Sequence, residues 1–250
     1  MRKTLLQLTQ DVLNELDSDY VNSILDTEES EQVSQIIKNV YFEMMGNRNW
    51  PHLKKLFQME HIGDVTKPNY LRIPILLKEL EFLKYEVQKD GEKILQRELK
   101  FKDPDAFLRM ISNRDSTADN VITVTDFSGS KLLILNDTPP TYWTSFDDFT
   151  IVTDSYDSTV DDTLQKSKTQ CLGYIHPEWI HQDTFIPDLP SEAFPALFNE
   201  ALSTCSYAVK QVANQKAEQK ANRQQRWLSR KAWRTEGGIN YPDYGRKGRR

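Results

Sequence analysis

Apolar residues recur at helical spacing in the first quarter of the chain. Two sets lie three or four positions apart: Leu5, Leu8, Val12 and Leu16, then Val33, Ile36, Ile37, Val40 and Met44. Thr27 precedes the second set, and Glu28 and Glu29 occupy the first turn, where acidic side chains complement the helix dipole. Gly46 followed by Asn47 predicts its end. The pattern indicates helices over residues 1–57.

The pattern changes to short runs of β-branched and aromatic residues between residues 58 and 189. Residues 121–127 (VITVTDF) alternate apolar and polar positions, and SGSKLLIL follows, so a hairpin is predicted around Gly129. Residues 141–153 (TYWTSFDDFTIVT) follow two prolines that block a helix, which indicates a strand region. Residues 104–112 (PDAFLRMIS) predict one short helix among the strands.

A third apolar stripe begins after Ser191 and Glu192, which predict a helix start. Its members are Phe194, Leu197, Phe198, Ala201, Cys205, Ala208, Val209 and Val212. No helix breaker follows before Gly237 and Gly238, which predicts one helix of about 40 residues and about 60 Å. Because its far half lacks an apolar face, we expect that half to pack on another subunit or to project.

These patterns predict an α+β protein in three parts. Residues 1–57 and 190–236 form a discontinuous helical bundle with a long C-terminal helix. Residues 58–189 form an inserted β-rich domain. Residues 237–250 form a basic, extended and flexible C-terminal tail.

The charge is distributed unevenly along the chain. The formal net charge is −5, yet residues 209–250 hold twelve Lys and Arg against three acids, a balance of +9. Residues 1–208 therefore carry −14. A basic end on an acidic body is typical of a segment that meets a partner.

The composition also narrows the class of protein. Five Trp, ten Tyr and eleven Phe argue against general disorder. Two cysteines form no disulfide framework and fit a reducing compartment. No apolar stretch approaches the length of a membrane span, and polar residues interrupt the N-terminal run, so we expect neither a membrane segment nor a secretory signal.

Arginine, tryptophan and tyrosine alternate in the basic end. The candidate docking residues are Arg226, Trp227, Arg230, Trp233, Arg234, Tyr241, Tyr244, Arg246, Lys247, Arg249 and Arg250. These residue types are enriched in interface hot spots, and they also stack on bases and pair with phosphates. A solvated helix end with a frayed terminus, a protein-docking arm and a nucleic-acid contact all fit this pattern.

Motifs for catalysis or cofactor binding are not found in the sequence. Phosphate-binding loops and nucleophile elbows are missing. Residues 176–181 (HPEWIH) place two histidines five apart with Pro177 between them, which does not fit a zinc helix, so a loop with packed aromatics is predicted. The acidic segment 146–162 lacks the calcium-loop pattern, and a solvated acidic loop is expected. We therefore expect no enzyme activity, metal or cofactor.

Three stretches together resemble the head-to-tail adaptor family of short-tailed bacteriophages, also called tail tubular protein A. The first is residues 19–56, in which two helices lead to an Arg-x-Trp end (NRNW). The second is residues 140–158 (PTYWTSFDDFTIVTDSYDS), and the third is residues 189–211 (LPSEAFPALFNEALSTCSYAVKQ). The resemblance covers most of the chain and is weakest over residues 58–135.

The resemblance implies a structural protein of the virion at the head–tail junction, assembled in the host cytoplasm. Family members form a twelve-subunit ring that joins the portal protein to the tail nozzle, tail tubular protein B, and leaves a channel for genomic DNA. In that setting the basic end would dock on the portal. Residues that would pack subunits together in the ring are Phe194, Leu197, Phe198, Ala201, Val209 and Val212.

Two other classes stay open at this point. The first is a nucleic-acid-binding module that uses the basic C-terminal segment, which predicts duplex binding that weakens steeply with salt. The second is a cell-wall hydrolase, a role that tail-associated proteins sometimes carry, for which no residue can be nominated. An acidic body suits the wall of a DNA channel, because like charges keep the passing duplex from sticking.

Overall fold

A computed structural model describes residues 2–87 and 93–234, the side chains of residues 231–234 excepted. The predicted mixed α+β class is confirmed. The chain divides into two compact units. Unit 1 combines Met1–Lys54 with His176–Arg250, and unit 2 is Lys55–Ile175.

The first two helices of unit 1 are α1 (Leu5–Glu15) and α2 (Glu28–Gly46). Both begin with a capping box. At α1 the Thr4 hydroxyl accepts the Gln7 N–H at 3.2 Å, and the Gln7 side chain accepts the Thr4 N–H at 3.1 Å. The predicted limits of the second helix are confirmed, since Thr27 caps its start and it ends at Gly46.

The C-terminal helical region is a hairpin of two helices, so the prediction of one long helix is wrong. They are α4 (Phe194–Lys210) and α5 (Gln215–Arg234). Gln211 takes a left-handed conformation, with φ of 55°, and its N–H donates to α4 carbonyls. The Asn214 side chain then accepts the Ala217 N–H at 3.1 Å, which starts α5. A left-handed residue and a new cap therefore stop and restart the helix without glycine or proline.

The core of unit 1 contains much of the third apolar stripe. Phe194, Leu197 and Ala201 are buried among side chains of α1, α2 and α5. Phe198 and Val209 are half-buried and pack against the same core. The expectation that the first three face a neighbouring subunit is therefore wrong, because α5 folds back and the unit covers them itself. Of the remaining stripe members, Ala208 and Val212 are exposed, and Val212, at 64%, lies in the loop between α4 and α5.

Unit 2 is built from strands with one helix, α3 (Pro104–Ser112). The strands are β1 (Lys54–Phe57), β2 (Glu60–His61), β3 (Tyr70–Arg72), β4 (Leu77–Val87), β5 (Leu95–Glu98), β6 (Lys100–Phe101), β7 (Val121–Thr125), β8 (Lys131–Leu135), β9 (Tyr142–Thr144), β10 (Thr150–Thr153) and β11 (Thr169–Ile175). They form sheets ordered β1-β11-β4-β5, β2-β3-β10-β9-β6 and β7-β8.

Several predicted elements of unit 2 are confirmed. The hairpin is β7–β8, with Val121 opposite Leu135 and Gly129 at a φ of 84° in its turn. The short helix has the predicted limits. The aromatic stretch 141–153 holds the antiparallel pair β9 and β10, in which Val152 lies opposite Thr144. The core of this unit includes Tyr70 and Phe107.

Gly173 in β11 is a position where a side chain has no room. A Cβ there would lie 2.5 Å from the Glu79 carbonyl oxygen of β4, at an irregular register between the two strands. We predict that Gly173→Ala lowers the free energy of unfolding of unit 2 by about 1–3 kcal/mol, because the backbone must shift. Denaturant titration measures the change. Gly46→Ala is the control, since beyond the adjacent backbone of its own helix no atom lies within 4 Å of its Cβ position; equal loss in both variants would contradict the explanation.

Candidate functional site: the basic face of helix α5

Helix α5 presents a row of exposed basic residues. Their spacing of three or four places them on one side of the helix. The α5 basic face consists of Lys216, Lys220, Arg223, Arg226, Trp227 and Arg230, all exposed. The opposite side buries Ala217, Ala221 and Leu228. At 1.5 Å per residue the face extends about 21 Å from Lys216 to Arg230.

Trp227 lies within this row of cations and is 51% exposed. It borders a shallow concavity together with Arg223, Arg226 and Arg230. The acid of this helix, Glu218, projects from another side at the helical angle of 100° per residue. The face therefore combines positive charge with an aromatic surface, which suits a partner that is negatively charged and partly apolar.

Two side-chain pairs hold α5 against α4. The Asn199 amide donates to the Gln224 side-chain oxygen at 3.2 Å, and the Gln225 amide donates to the Glu200 carboxylate at 3.2 Å. The buried alanines of α5, Ala217 and Ala221, have small side chains that allow close packing of this helix. Only residues 211–214 separate two helices that pack side by side, so α4 and α5 run antiparallel. The basic face is thereby fixed to point away from the core.

The Arg-x-Trp stretch after α2 also supports α5. The Trp50 indole N–H donates to the Met44 carbonyl at 2.9 Å and closes the end of α2. The Arg48 guanidinium lies 4.8 Å from the centre of the Trp50 ring, and its Nη2 donates to the Gln225 carbonyl at 3.5 Å. Burial lowers the pKa of Arg48. This motif therefore has a structural role in unit 1, which sequence reasoning had left unassigned.

Glu200 is the titratable residue beneath α5 with the clearest consequence for stability. Burial raises its pKa, and the nearby charges of Glu43 and Glu218 raise it further. The folded protein therefore binds this proton more tightly than the unfolded chain. Its contribution to stability is full below the unfolded pKa, about 4.3, and is lost as pH rises from there through the raised pKa of the folded state. At neutral pH the ionised carboxylate is unfavourable.

We predict that Glu200→Gln stabilises unit 1 at pH 7 but not at pH 3. The substitution removes the charge of this half-buried carboxylate and keeps an oxygen that accepts from Gln225. Thermal unfolding at both pH values measures the effect, with exposed Glu178→Gln as the control. An equal gain at both pH values would argue against a charge effect.

The predicted docking residues are partly within the described structure. Arg226, Trp227 and Arg230 come together on α5. Trp233 and Arg234 belong to the same helix, but their side chains lie outside the described part. The remaining predicted residues lie outside the described residues altogether: Tyr241, Tyr244, Arg246, Lys247, Arg249 and Arg250. Lys216, Lys220 and Arg223 extend the face beyond the predicted set.

The histidine-containing segment 176–181 is a loop with packed aromatics, as predicted. The Trp179 ring centre lies 5.2 Å from that of Tyr41 and 4.8 Å from that of Phe185. His181 Nε2 lies 3.4 Å from the Ser34 hydroxyl. Within residues 2–87 and 93–234, no group of three or more His, Cys, Asp or Glu side chains could hold a metal ion.

Aspartates of unit 2 serve to fix turns. In four places an Asp carboxylate accepts both the backbone N–H and the hydroxyl of the Ser or Thr two residues later: Asp64–Thr66, Asp115–Thr117, Asp126–Ser128 and Asp157–Thr159. The Thr66 and Thr117 hydroxyls hold the pKa values of Asp64 and Asp115 below the ordinary range. The recurring Asp-x-Ser/Thr pattern was a turn signal available in the sequence.

Asp154 shows that the acidic segment 146–162 is not wholly solvated, which corrects that expectation. The residue is 5% exposed, and its Oδ1 accepts the N–H groups of Thr141 and Tyr142 at 3.0 and 2.8 Å. Arg114 Nη2 lies 3.5 Å from its Oδ2, while Arg114 Nη1 donates to the Asp154 and Leu133 carbonyls at 2.6 and 2.9 Å. With the Ser155 hydroxyl, which donates to Oδ1 at 3.4 Å, six polar contacts converge on the buried carboxylate of Asp154 and the largely buried guanidinium of Arg114.

Each unit contains one buried free cysteine. Cys205 lies in the core of unit 1 and Cys171 in the core of unit 2. Burial raises the pKa of each thiol to about 12. At neutral pH neither thiol forms a thiolate nucleophile, so each reports instead on the opening of its own unit.

No protein-family model matches the chain, and no curated protein matches its sequence. None of the described helices is both long and apolar enough to cross a membrane.

Proposed function

We propose that this chain is a non-enzymatic structural protein that joins the portal of a short-tailed bacteriophage to its tail nozzle. The observation that carries the proposal is the α5 basic face, a rigid cationic surface with an exposed tryptophan on an otherwise acidic protein. The resemblance of residues 19–56, 140–158 and 189–211 to the adaptor family supplies the context. Such a face suits permanent docking to a partner protein.

The proposal assigns a task to each part of the chain. The helical bundle of residues 1–57 and 190–236 forms the ring, with twelve copies in the family, and the β-rich domain of residues 58–189, inserted in that bundle, meets the nozzle protein. Genomic DNA passes through the central channel. The chain acts in the virion at the head–tail junction, without a cofactor, after assembly in the host cytoplasm.

The docking arm is tested with isolated portal rings. In the proposal it comprises the C-terminal end of α5 and residues 237–250. Deleting 237–250 is expected to abolish capture of the protein by portal rings in a pull-down, with attachment checked by electron microscopy. A chain whose residues 237–250 are replaced by a Gly/Ser segment of the same length controls for length. Unchanged attachment of the truncated chain would overturn portal docking by this arm.

A nucleic-acid-binding module is the second candidate, favoured by the same arginines and Trp227. It predicts retention of duplex DNA in a gel-shift assay at low salt, with affinity falling steeply as salt rises. Arg223→Glu with Arg230→Glu should then remove retention. Failure of the wild-type protein to bind duplex DNA at low salt would eliminate this candidate.

A further inference from the structure

The α5 basic face needs a partner surface of opposite charge. Its five cations form no salt bridge within residues 2–87 and 93–234, and Trp227 adds aromatic area beside Arg223, Arg226 and Arg230. The face is held rigidly by α4 and by Arg48, so docking requires little reordering of the backbone. A complementary surface would carry several carboxylates and exposed apolar side chains.

Unit 1 itself contains such a surface at the junction of α1 and α2. Residues 15–31 hold seven acidic residues and no Lys or Arg. We call these seven residues the acidic corner: Glu15, Asp17, Asp19, Asp26, Glu28, Glu29 and Glu31. The Ser18 hydroxyl donates to Glu29 at 2.6 Å, which draws the loop against the start of α2. Tyr20 and Leu25 lie on this segment and are 75% and 63% exposed.

The acidic corner is matched to the α5 basic face in chemistry. The five cations of the face can meet five carboxylates that accept no hydrogen bond in the described structure, those of Glu15, Asp17, Asp19, Glu28 and Glu31. The exposed Tyr20 and Leu25 side chains supply apolar area for Trp227. Complementary potentials of this kind guide association and fix its orientation.

The two surfaces of one copy cannot fully meet each other. Lys210 Nζ lies 3.6 Å from Glu29, which places the acidic corner beside the end of α4, where the loop to α5 begins. From there α5 runs antiparallel to α4, so Arg230 lies about 21 Å further along than Lys216. The far half of the basic face, with Trp227, is therefore out of reach of its own acidic corner.

We propose that the α5 basic face of one copy binds the acidic corner of a second copy. The contact is head-to-tail, because two different surfaces meet, and such contacts close into a ring when the rotation allows. The inference deepens the proposed ring and rests on it. This inference revises the docking arm of the proposed function: Arg226, Trp227 and Arg230 bind the neighbouring subunit, and residues 237–250 remain for the portal.

Charge reversal on each surface, followed by mixing, tests the contact. One variant carries Arg223→Glu and Arg230→Glu, and the other carries Glu15→Lys and Asp19→Lys; all four side chains are exposed. Sedimentation velocity at low salt is expected to show self-association of the wild-type protein and about tenfold or greater weakening in each variant alone. An equimolar mixture should recover association, because each reversed surface finds a complementary one.

A matched control carries Lys55→Glu and Arg97→Glu, two exposed cations of unit 2 with the same change in net charge. It should associate like the wild type. A wild-type protein that stays monomeric at low salt, or a mixture that does not recover association, would overturn the inference. Duplex binding by a wild-type protein that does not self-associate would assign the face to nucleic acid instead.

Failure of this contact is distinguishable from failure of the proposed function. Deletion of residues 237–250 should leave self-association intact and remove portal capture. If the deleted chain associates and the full chain never binds portal rings, the contact stands and the adaptor role falls. If the full chain binds portal rings but the charge-reversed mixture does not associate, the adaptor role stands and the contact between copies falls.

Discussion

Asp154→Asn is expected to lower the free energy of unfolding of unit 2 by about 3–5 kcal/mol. The change leaves the Arg114 guanidinium, whose side chain is 14% exposed, without its counter-charge in a buried site. Asparagine can offer one side-chain oxygen in place of two, so the N–H groups of Thr141 and Tyr142 also compete with Arg114 for it. The loss combines an unpaired buried charge with unsatisfied donors.

Thiol labelling in denaturant measures this loss within unit 2. Cys171 is buried in the same core and reacts only when the unit opens, so its labelling rate follows the population of open molecules. Asp148→Asn is the control, because this nearby carboxylate is exposed and accepts no hydrogen bond in the described structure. A loss below about 1 kcal/mol in Asp154→Asn would show that the buried pair is not a main support of unit 2.

Trp50→Ala is expected to lower the free energy of unfolding of unit 1 by a similar amount, about 3–5 kcal/mol. The ring is 3% exposed, closes the end of α2 through its indole N–H, and is stacked by Arg48. Its removal leaves a cavity and releases Arg48 from the position in which it binds the Gln225 carbonyl of α5. The α5 basic face should therefore become less rigid.

Trp50→Phe separates the two contributions of this side chain. Phenylalanine keeps most of the ring volume but cannot donate to Met44, so a loss of about 1–2 kcal/mol is expected. The labelling rate of the Cys205 thiol, which is buried in unit 1, measures the loss of stability in both variants. An equal loss in the two variants would assign the whole effect to the hydrogen bond and would contradict a packing role.

Local signals in the sequence predicted the elements that are stabilised locally. Thr27 and the glutamates after it defined the start of α2, and Gly129 between two serines defined the β7–β8 turn, because caps and tight turns depend on a few adjacent residues. The end of α4 was not predicted, because it depends on packing of the whole of α5 and not on a few adjacent residues. Gln211 is a poor left-handed residue by itself, and the turn forms because α5 gains buried packing by folding back.

The same limit applies to the candidate site. Arg226, Trp227 and Arg230 were predicted as a group because they lie within one or two turns of a helix. Asp154 is one of six similar aspartates in its segment, and only its long-range pairing with Arg114 makes it a buried support. The support that Arg48 gives to α5 likewise depends on Gln225, a residue almost 180 positions away. Non-local contacts of this kind leave no periodic mark on the sequence.

The neighbouring positions of β1 and β11 have a consequence for the order of folding. These strands begin and end unit 2, and they lie side by side in one sheet. Before they pair, the two halves of unit 1 are joined by a loop of roughly 120 residues, whose closure costs about 4 kcal/mol in chain entropy. Once unit 2 has formed, that loop is already closed. Unit 2 should therefore act as a folding template for the helices on either side of it, and a variant that slows unit 2 should delay assembly of unit 1 as well.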